Sequence, residues 1–189
     1  MIILGITGTI GAGKGTIVDY LVQKFRFQHY SVREYLATEA TKRGMALNRD
    51  TYVALANELR LQHSPSFIID QLYEEAIHKG ENAIIESIRT VGEIESLRQK
   101  ESFVLLAIDA QKEIRYHRII ERQSETDHID FDTFKENEAR EMSATDPHKQ
   151  NLSQCIAQAD FLLNNDGDFP QLYQQIDGIL EQIDKSHYK

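Results

Sequence analysis

Nine residues near the start of the chain, Gly8-Thr9-Ile10-Gly11-Ala12-Gly13-Lys14-Gly15-Thr16, combine backbone freedom with one mobile cation. Glycines at that density let successive N–H groups turn inward on an anion, and the N-terminus of a following helix adds the positive end of its dipole. The G-x-x-x-x-G-K spacing is that of a phosphate-binding P-loop, whose lysine reaches the β and γ phosphates of a nucleoside triphosphate. Position 15 is glycine, where most such loops carry a magnesium-ligating serine or threonine.

With 21 Lys and Arg against 30 Asp and Glu, the chain has a formal charge of −9. A protein so acidic must gather cations locally to hold polyphosphate, and the planar fork of arginine suits that task. Arg115, Arg118 and Arg122 recur at i, i+3 and i+7, so they share one helix stripe. The competing reading of that stripe is a solvated face paired with Glu121 and Glu125. Arg33, Arg60 and Arg89 form a second group, and Arg140 sits between Glu138 and Glu141, where an ion pair is equally expected. Glu34 follows Ser31 at the S-x-x-E spacing of a capping box. Glu86 closes the apolar run Ala83-Ile84-Ile85, either as a polar strand end or as a carboxylate with a task. His128, Asp130 and Asp132 alternate, but an acidic run in a polar loop is ordinarily solvated, and no structural metal is expected there. Asn165-Asp166-Gly167 is turn-forming chemistry, and His63 reads as a helix-end residue.

The elements that must position these groups are legible in the pattern. Residues 2–7 form a short apolar run without alternation, as in a parallel strand buried on both faces. Ile17, Val18, Leu21 and Phe25 then recur at helical spacing. Further strands are predicted at 27–30, 83–86, 103–108 and 161–163. Helices are predicted from Ser31 to Gly44, after Asn48, from a Ser64-Pro65 start to Gly80, around Ile94 and Leu97, and from Phe169 onward. Strands and helices therefore alternate, which predicts an α/β fold, a three-layer α/β/α arrangement around a five-stranded parallel sheet with right-handed crossovers. Residues 31–79 and 111–159 are longer than plain crossovers, and insertions of that size commonly act as flaps or lids. The expected organisation is one domain, 1–189, with a core of 1–30, 80–122 and 150–189, a helical acceptor-binding insertion at 31–79 and a lid at 123–149.

Composition bounds the function further. The chain has 189 residues, 3 prolines, 10 glycines and one cysteine, Cys155. That length fits a single domain with a real core, and one cysteine excludes both a disulfide scaffold and a thiolate zinc knot. A reducing cytoplasm is the expected location. The negative charge argues against non-specific nucleic-acid or membrane binding. The opening MIILGITGTIGAGKG lacks a basic n-region and is broken by glycines, so it reads as part of the fold rather than a signal or a span.

Gly8 to Thr16, with glycine after the lysine, resembles adenylate kinase and its relatives among the nucleoside monophosphate kinases. The tail ADFLLNNDGDFPQL, 159–172, is similar to the end of dephospho-CoA kinases. The resemblance implies a P-loop kinase fold with ATP and Mg2+ as cofactors and the loop residues Gly8, Thr9, Ile10, Gly11, Ala12, Gly13, Lys14, Gly15 and Thr16 around the phosphates. It implies magnesium held through waters and phosphates rather than by Gly15, with Thr16 and Glu86, a Walker-B-type carboxylate, acting indirectly. It makes Arg118 and Arg122 lid arginines, Arg140 a further phosphate-facing arginine, and Arg89 the arginine on the acceptor phosphate. Arg33 and Arg60 then belong to the acceptor insertion, Glu34 to the position of a dephospho-CoA kinase base, and Asn165 to the adenine side. The chain departs from adenylate kinase at Ser31-Val32-Arg33-Glu34, where the S-T-G-D motif and its later arginine are missing, so AMP itself is not implied. The expected activity is transfer of the ATP γ-phosphoryl to a small nucleotide, a nucleoside or deoxynucleoside monophosphate, by a monomer or homodimer. Transfer to the ribose hydroxyl of dephospho-CoA and a nucleotide-dependent switch or assembly ATPase remain the alternatives.

Overall fold

The computed structural model describes residues 1–100, 102–122 and 129–187. Five strands, β1 (Ile3–Gly8), β2 (Gln28–Ser31), β3 (Ala83–Glu86), β4 (Phe103–Asp109) and β5 (Phe161–Asn164), pair in the order β2-β3-β1-β4-β5. Every pairing is parallel. All six residues of the central β1 are buried, which is why its sequence carries an unbroken apolar run instead of alternation.

Side chains alternate across the strands and so sort into two cores. Ile3, Ile85 and Leu105 face one side, against α2 (Val32–Lys42), α3 (Arg49–Gln62), α4 (Phe67–Lys79), α5 (Val91–Arg98) and α8 (Leu152–Ala157). Leu4, Ile6, Ile84 and Leu106 face the other, where Ile17 and Leu21 of α1 (Lys14–Phe25) and Leu172 and Ile176 of α9 (Phe169–His187) cover them. Two further helices, α6 (Lys112–Arg122) and α7 (Phe131–Met142), lie between β4 and α8 in sequence. This is the expected three-layer α/β fold.

Local signals set most helix ends. Asn48 caps α3 by accepting from Thr51 N at 2.9 Å, and Gly80 (φ +72°) closes α4. Two expectations need correction. The third insertion helix does not start at Ser64-Pro65: Ser64 O accepts from Phe67 N at 3.1 Å in a turn, and α4 begins at Phe67. Pro65 is held by tertiary contact instead, its carbonyl accepting from Thr90 Oγ1 while its ring packs beside Gly92. The reciprocal capping box lies at Thr90 and Glu93 of α5. Ser31 makes only its half of such a box, accepting from Glu34 N at 3.3 Å, and its hydroxyl also donates to Glu86.

Of the acidic segment expected in the lid, residues 124–128, with His128, lie outside the described residues. Asp130 accepts from Thr133 N at 2.7 Å and caps α7, and Asp132 pairs with Lys135 on the same helix. Both carboxylates thus serve the helix start.

One buried ion pair ties α3 to α5 and to the turn after β3. Glu93 is 0% exposed and Arg60 of α3 is 1% exposed. Arg60 Nε and Nη2 donate to Glu93 Oε1 at 3.1 and 2.8 Å, while the other oxygen accepts from Arg89 N and Thr90 N at 2.7 and 2.9 Å. Removing the carboxylate strands a buried guanidinium and two amides together. Glu93→Ala is expected to lose about 3–5 kcal/mol of stability, the range for breaking a buried pair. A shift in the denaturation midpoint below about 1 kcal/mol would show that the pair carries little.

Candidate functional site

The loop after β1 runs straight into α1, and its glycines are required by close approach. A Cβ on Gly8 (φ +144°) would run into the Ile108 carbonyl, and one on Gly13 (φ +95°) into the Asn165 side chain. Gly13 occupies the N-cap position of α1 without a side-chain cap, so the first amides of the helix are left facing the cavity. A loop of this composition has few side chains to hold its own shape, and neighbours hold it. Thr9 Oγ1 donates to Asp109 Oδ1 at 2.7 Å, and Asn165 Nδ2 donates to Ala12 O at 2.8 Å. Arg115 Nη1 donates to Ile10 O at 3.2 Å.

Lys14 Nζ donates to Gly8 O and Thr9 O, both at 2.8 Å. Burial, with the Arg89 charge adding to it, brings its pKa down from 10.5 to about 7. Glu86, at the end of β3, accepts from Ser31 Oγ at 3.0 Å and faces His29 Nε2 at 3.7 Å. Burial would raise its pKa, but the His29 and Ser31 contacts outweigh burial and hold the carboxyl below its usual range. The next residue, Ser87, has φ +67°, a left-handed conformation that side chains avoid, at the point where the chain turns toward Arg89.

These groups open onto one cavity of about 590 Å³ above the carboxyl ends of the strands. Of the loop, Ile10, Gly11, Gly13, Lys14, Gly15 and Thr16 line it, whereas Ala12 is buried behind it. Arg33, Arg60, Arg89, Arg118, Arg122 and Asn165 all reach it, as does Glu86. Val32, Leu36, Tyr52, Val53 and Ala56 of α2 and α3 form an apolar wall. Arg49, also on the cavity, brings its cations to seven among the described residues, against the carboxylates Asp19, Glu86 and Glu141. A third of the 21 lysines and arginines of an acidic chain therefore surround a single space.

Several residues stand elsewhere, or do something else, than their sequence context implies. Arg140 is 51% exposed, outside the cavity lining, and engages Asn137 and Asp50. Its neighbour Glu141 turns inward instead, because one helical step of 100° separates the two faces. Glu34 is exposed and lines a second cleft of about 320 Å³ beside His29 and Tyr35, away from the main cavity. Arg115 is buried beneath the loop, paired with Glu138 and with its guanidinium against the Phe134 ring, so the stripe divides into one brace and two cavity arginines. Asn165 spends its amide on the loop carbonyl.

Sequence reasoning missed Arg49, Glu141, Gln150 and His29. Glu141 bridges the guanidinium of Arg49 and Arg89 Nη1, the latter at 2.6 Å, and Gln150 Oε1 accepts from Arg89 Nη1 at 2.8 Å. Burial works to raise the Glu141 pKa, but Arg89 and Arg49 hold it below the ordinary carboxylate range. Only the Asn48 cap hinted at Arg49, by putting it in the first turn of α3. Cys155 is buried in the core, and burial pushes its thiol up to about 12, which favours the protonated form.

Comparison with known proteins agrees with this geometry. Residues 7–135 match the family described as AAA domain. A UPF0200 protein of Methanocaldococcus jannaschii is 30% identical over 186 residues, covering 97% of this chain and 91% of that one. A UPF0200 protein of Methanococcus maripaludis is 27% identical over 189 residues, covering 98% and 100%. Among solved structures, a gluconokinase from Sinorhizobium meliloti has a TM-score of 0.60 at 9% identity, covering 99% of this chain and 96% of its own. A shikimate kinase from Bacteroides thetaiotaomicron has a TM-score of 0.56 at 14% identity, covering 97% and 98%. The fold is that of the P-loop kinases, and the chain belongs to the AAA-domain family and with the UPF0200 proteins.

Proposed function

We propose that the protein is an ATP-dependent phosphotransferase that moves the γ-phosphoryl group to a small nucleotide, a nucleoside or deoxynucleoside monophosphate. One observation carries this reading: seven cations, the open N-terminus of α1 and an apolar helical wall converge on a single cavity. The loop amides and Lys14 would hold the donor phosphates, while Arg118 and Arg122 approach the transferring group from α6. Phe169, exposed at the start of α9 and lining the same cavity, offers a ring for the donor base on the Asn165 side.

The acceptor belongs on the opposite side, where Arg89, Arg60, Arg49 and Arg33 meet the wall of Tyr52, Val53 and Leu36. An oxygen of the acceptor phosphate attacks the γ-phosphorus, the bond from that phosphorus to the β–γ bridging oxygen breaks, and ADP leaves. Thr16 and Glu86 line the cavity while Gly15 has no side chain, a donor set suited to magnesium held through waters. Bound there, magnesium would neutralise charge on the β and γ phosphates. Residues 31–79 would act as the acceptor flap and 123–149 as the lid, whose closure excludes water and suppresses hydrolysis.

The direct test is phosphate transfer from ATP to a panel of nucleoside and deoxynucleoside monophosphates, dephospho-CoA and water. Acceptor-dependent turnover with stoichiometric phosphorylated nucleotide is expected. Exclusive phosphorylation of dephospho-CoA, or turnover indifferent to acceptor, would replace this reading with one of its alternatives.

Arg89→Ala should raise the acceptor KM about 10- to 100-fold, the loss of a charge-assisted contact, with little change in ATP affinity. Glu34→Gln should leave kcat within about twofold, since Glu34 opens on the other cleft. Steady-state kinetics on both variants decide this, and the reverse pattern would favour a hydroxyl acceptor.

Lys14 gives a pH signature. Its folded pKa of about 7 lies below the ordinary 10.5, so at pH 8 the free protein holds this amine mostly neutral. Polyphosphate beside it favours the charged form. ATP binding at pH 8 should therefore take up a proton, with the uptake vanishing near pH 6, where the amine is already charged. Calorimetry in buffers of different ionisation enthalpy measures the uptake, which Lys14→Met should abolish.

A further inference from the structure

The cavity holds a carboxylate of the protein's own where the acceptor's anion is expected. Glu141 is 3% exposed, and it reaches the guanidinium of Arg49, from the first turn of α3, and Arg89 Nη1, from the turn after β3. Two arginines from separate elements converging on two oxygens is the geometry of an oxyanion site. The site also has donors to spare. Arg49 Nε and Arg60 Nη1 are buried with no partner, and Arg60 is 99% buried and lines the cavity. Buried unpaired donors are costly, and two carboxylate oxygens have not used these. The dianionic phosphoryl group of a phosphate monoester has one more terminal oxygen and one more negative charge than Glu141 supplies.

We infer that Arg49 and Arg89 form an anion site for a phosphate group and that Glu141 is a latch occupying it, which the incoming phosphate must displace. The inference rests on the proposed function for the identity of that phosphate as the acceptor's. The latch has a short hinge. Phe134 is fully buried, and Glu138 pairs with Arg115 and Lys112, so α7 stays anchored one turn before Glu141. Displacing Glu141 asks the last turn of the helix to move between two anchors, Glu138 before it and Ala144 after it, whose carbonyl accepts from Asn151 Nδ2 at 2.9 Å.

A closed latch weakens apparent affinity by the fraction of molecules in which it is open. Inorganic phosphate is the probe, titrated by calorimetry with and without saturating ADP, which occupies the loop site. Glu141→Gln should bind phosphate about tenfold tighter than the wild type, the gain expected for a latch closed in about nine molecules of ten. The double variant with Arg89→Ala should lose that gain. In the wild type, phosphate should lower amide-exchange protection at the end of α7, a readout that does not depend on any variant folding. Unchanged or weaker phosphate binding by a folded Glu141→Gln, or unchanged or greater α7 protection in the wild type, would overturn the latch and leave Glu141 as a structural ion pair. If the latch signature appears while no acceptor is phosphorylated, the anion site stands and the proposed function fails.

Discussion

A loop that presents bare amides to an anion has given up the side chains that could have held its own shape. Between Gly8 and Gly15 the only long side chains are Ile10 and Lys14, and Lys14 folds back on the Gly8 and Thr9 carbonyls. Most remaining support comes from outside. Asp109 at the end of β4 takes Thr9, Asn165 after β5 holds the Ala12 carbonyl, and Arg115 of α6 holds Ile10. The five-stranded parallel sheet brings these distant segments to one edge. Its central strand is buried on both faces because helices cover both sides of the sheet.

The second organising feature is the way charge is distributed. The chain is acidic overall, yet Lys14 and six arginines line one space, where carboxylates answer Arg49, Arg60 and Arg89. Arg60 is tied to Glu93 and Arg89 to Glu141, whereas the buried Nη1 of Arg118 has no partner among the described residues. Counter-charges beside the cavity lower the mutual repulsion of cations gathered so closely. Glu93 holds Arg60, and Glu141 holds both Arg49 and Arg89, in the folded chain. Lys14, half-buried on the same cavity, fits this pattern: desolvation and the Arg89 charge bring the pKa of its amine down to about 7.

What the sequence by itself determined is what is local. The P-loop, all five strands and most helix limits follow from runs, periods and caps within a few residues, and the structure moves their ends by only one or two positions. The start of α4 was misread because Pro65 is fixed by Thr90 and Gly92 rather than by its helix. The cavity arginines 118, 122, 89, 60 and 33 were also legible, since arginine is conspicuous in an acidic chain that carries a phosphate loop. Their partners were not. Glu141 meets Arg49 across 92 residues and Arg89 across 52, and Arg60 finds Glu93 across 33. No periodicity links such positions, because their meeting depends on how α3, α5 and α7 pack over the sheet. Only the tertiary structure could decide that Glu141 rather than Arg140 turns inward, that Glu34 faces another cleft, and that Arg115 and Asn165 brace the loop.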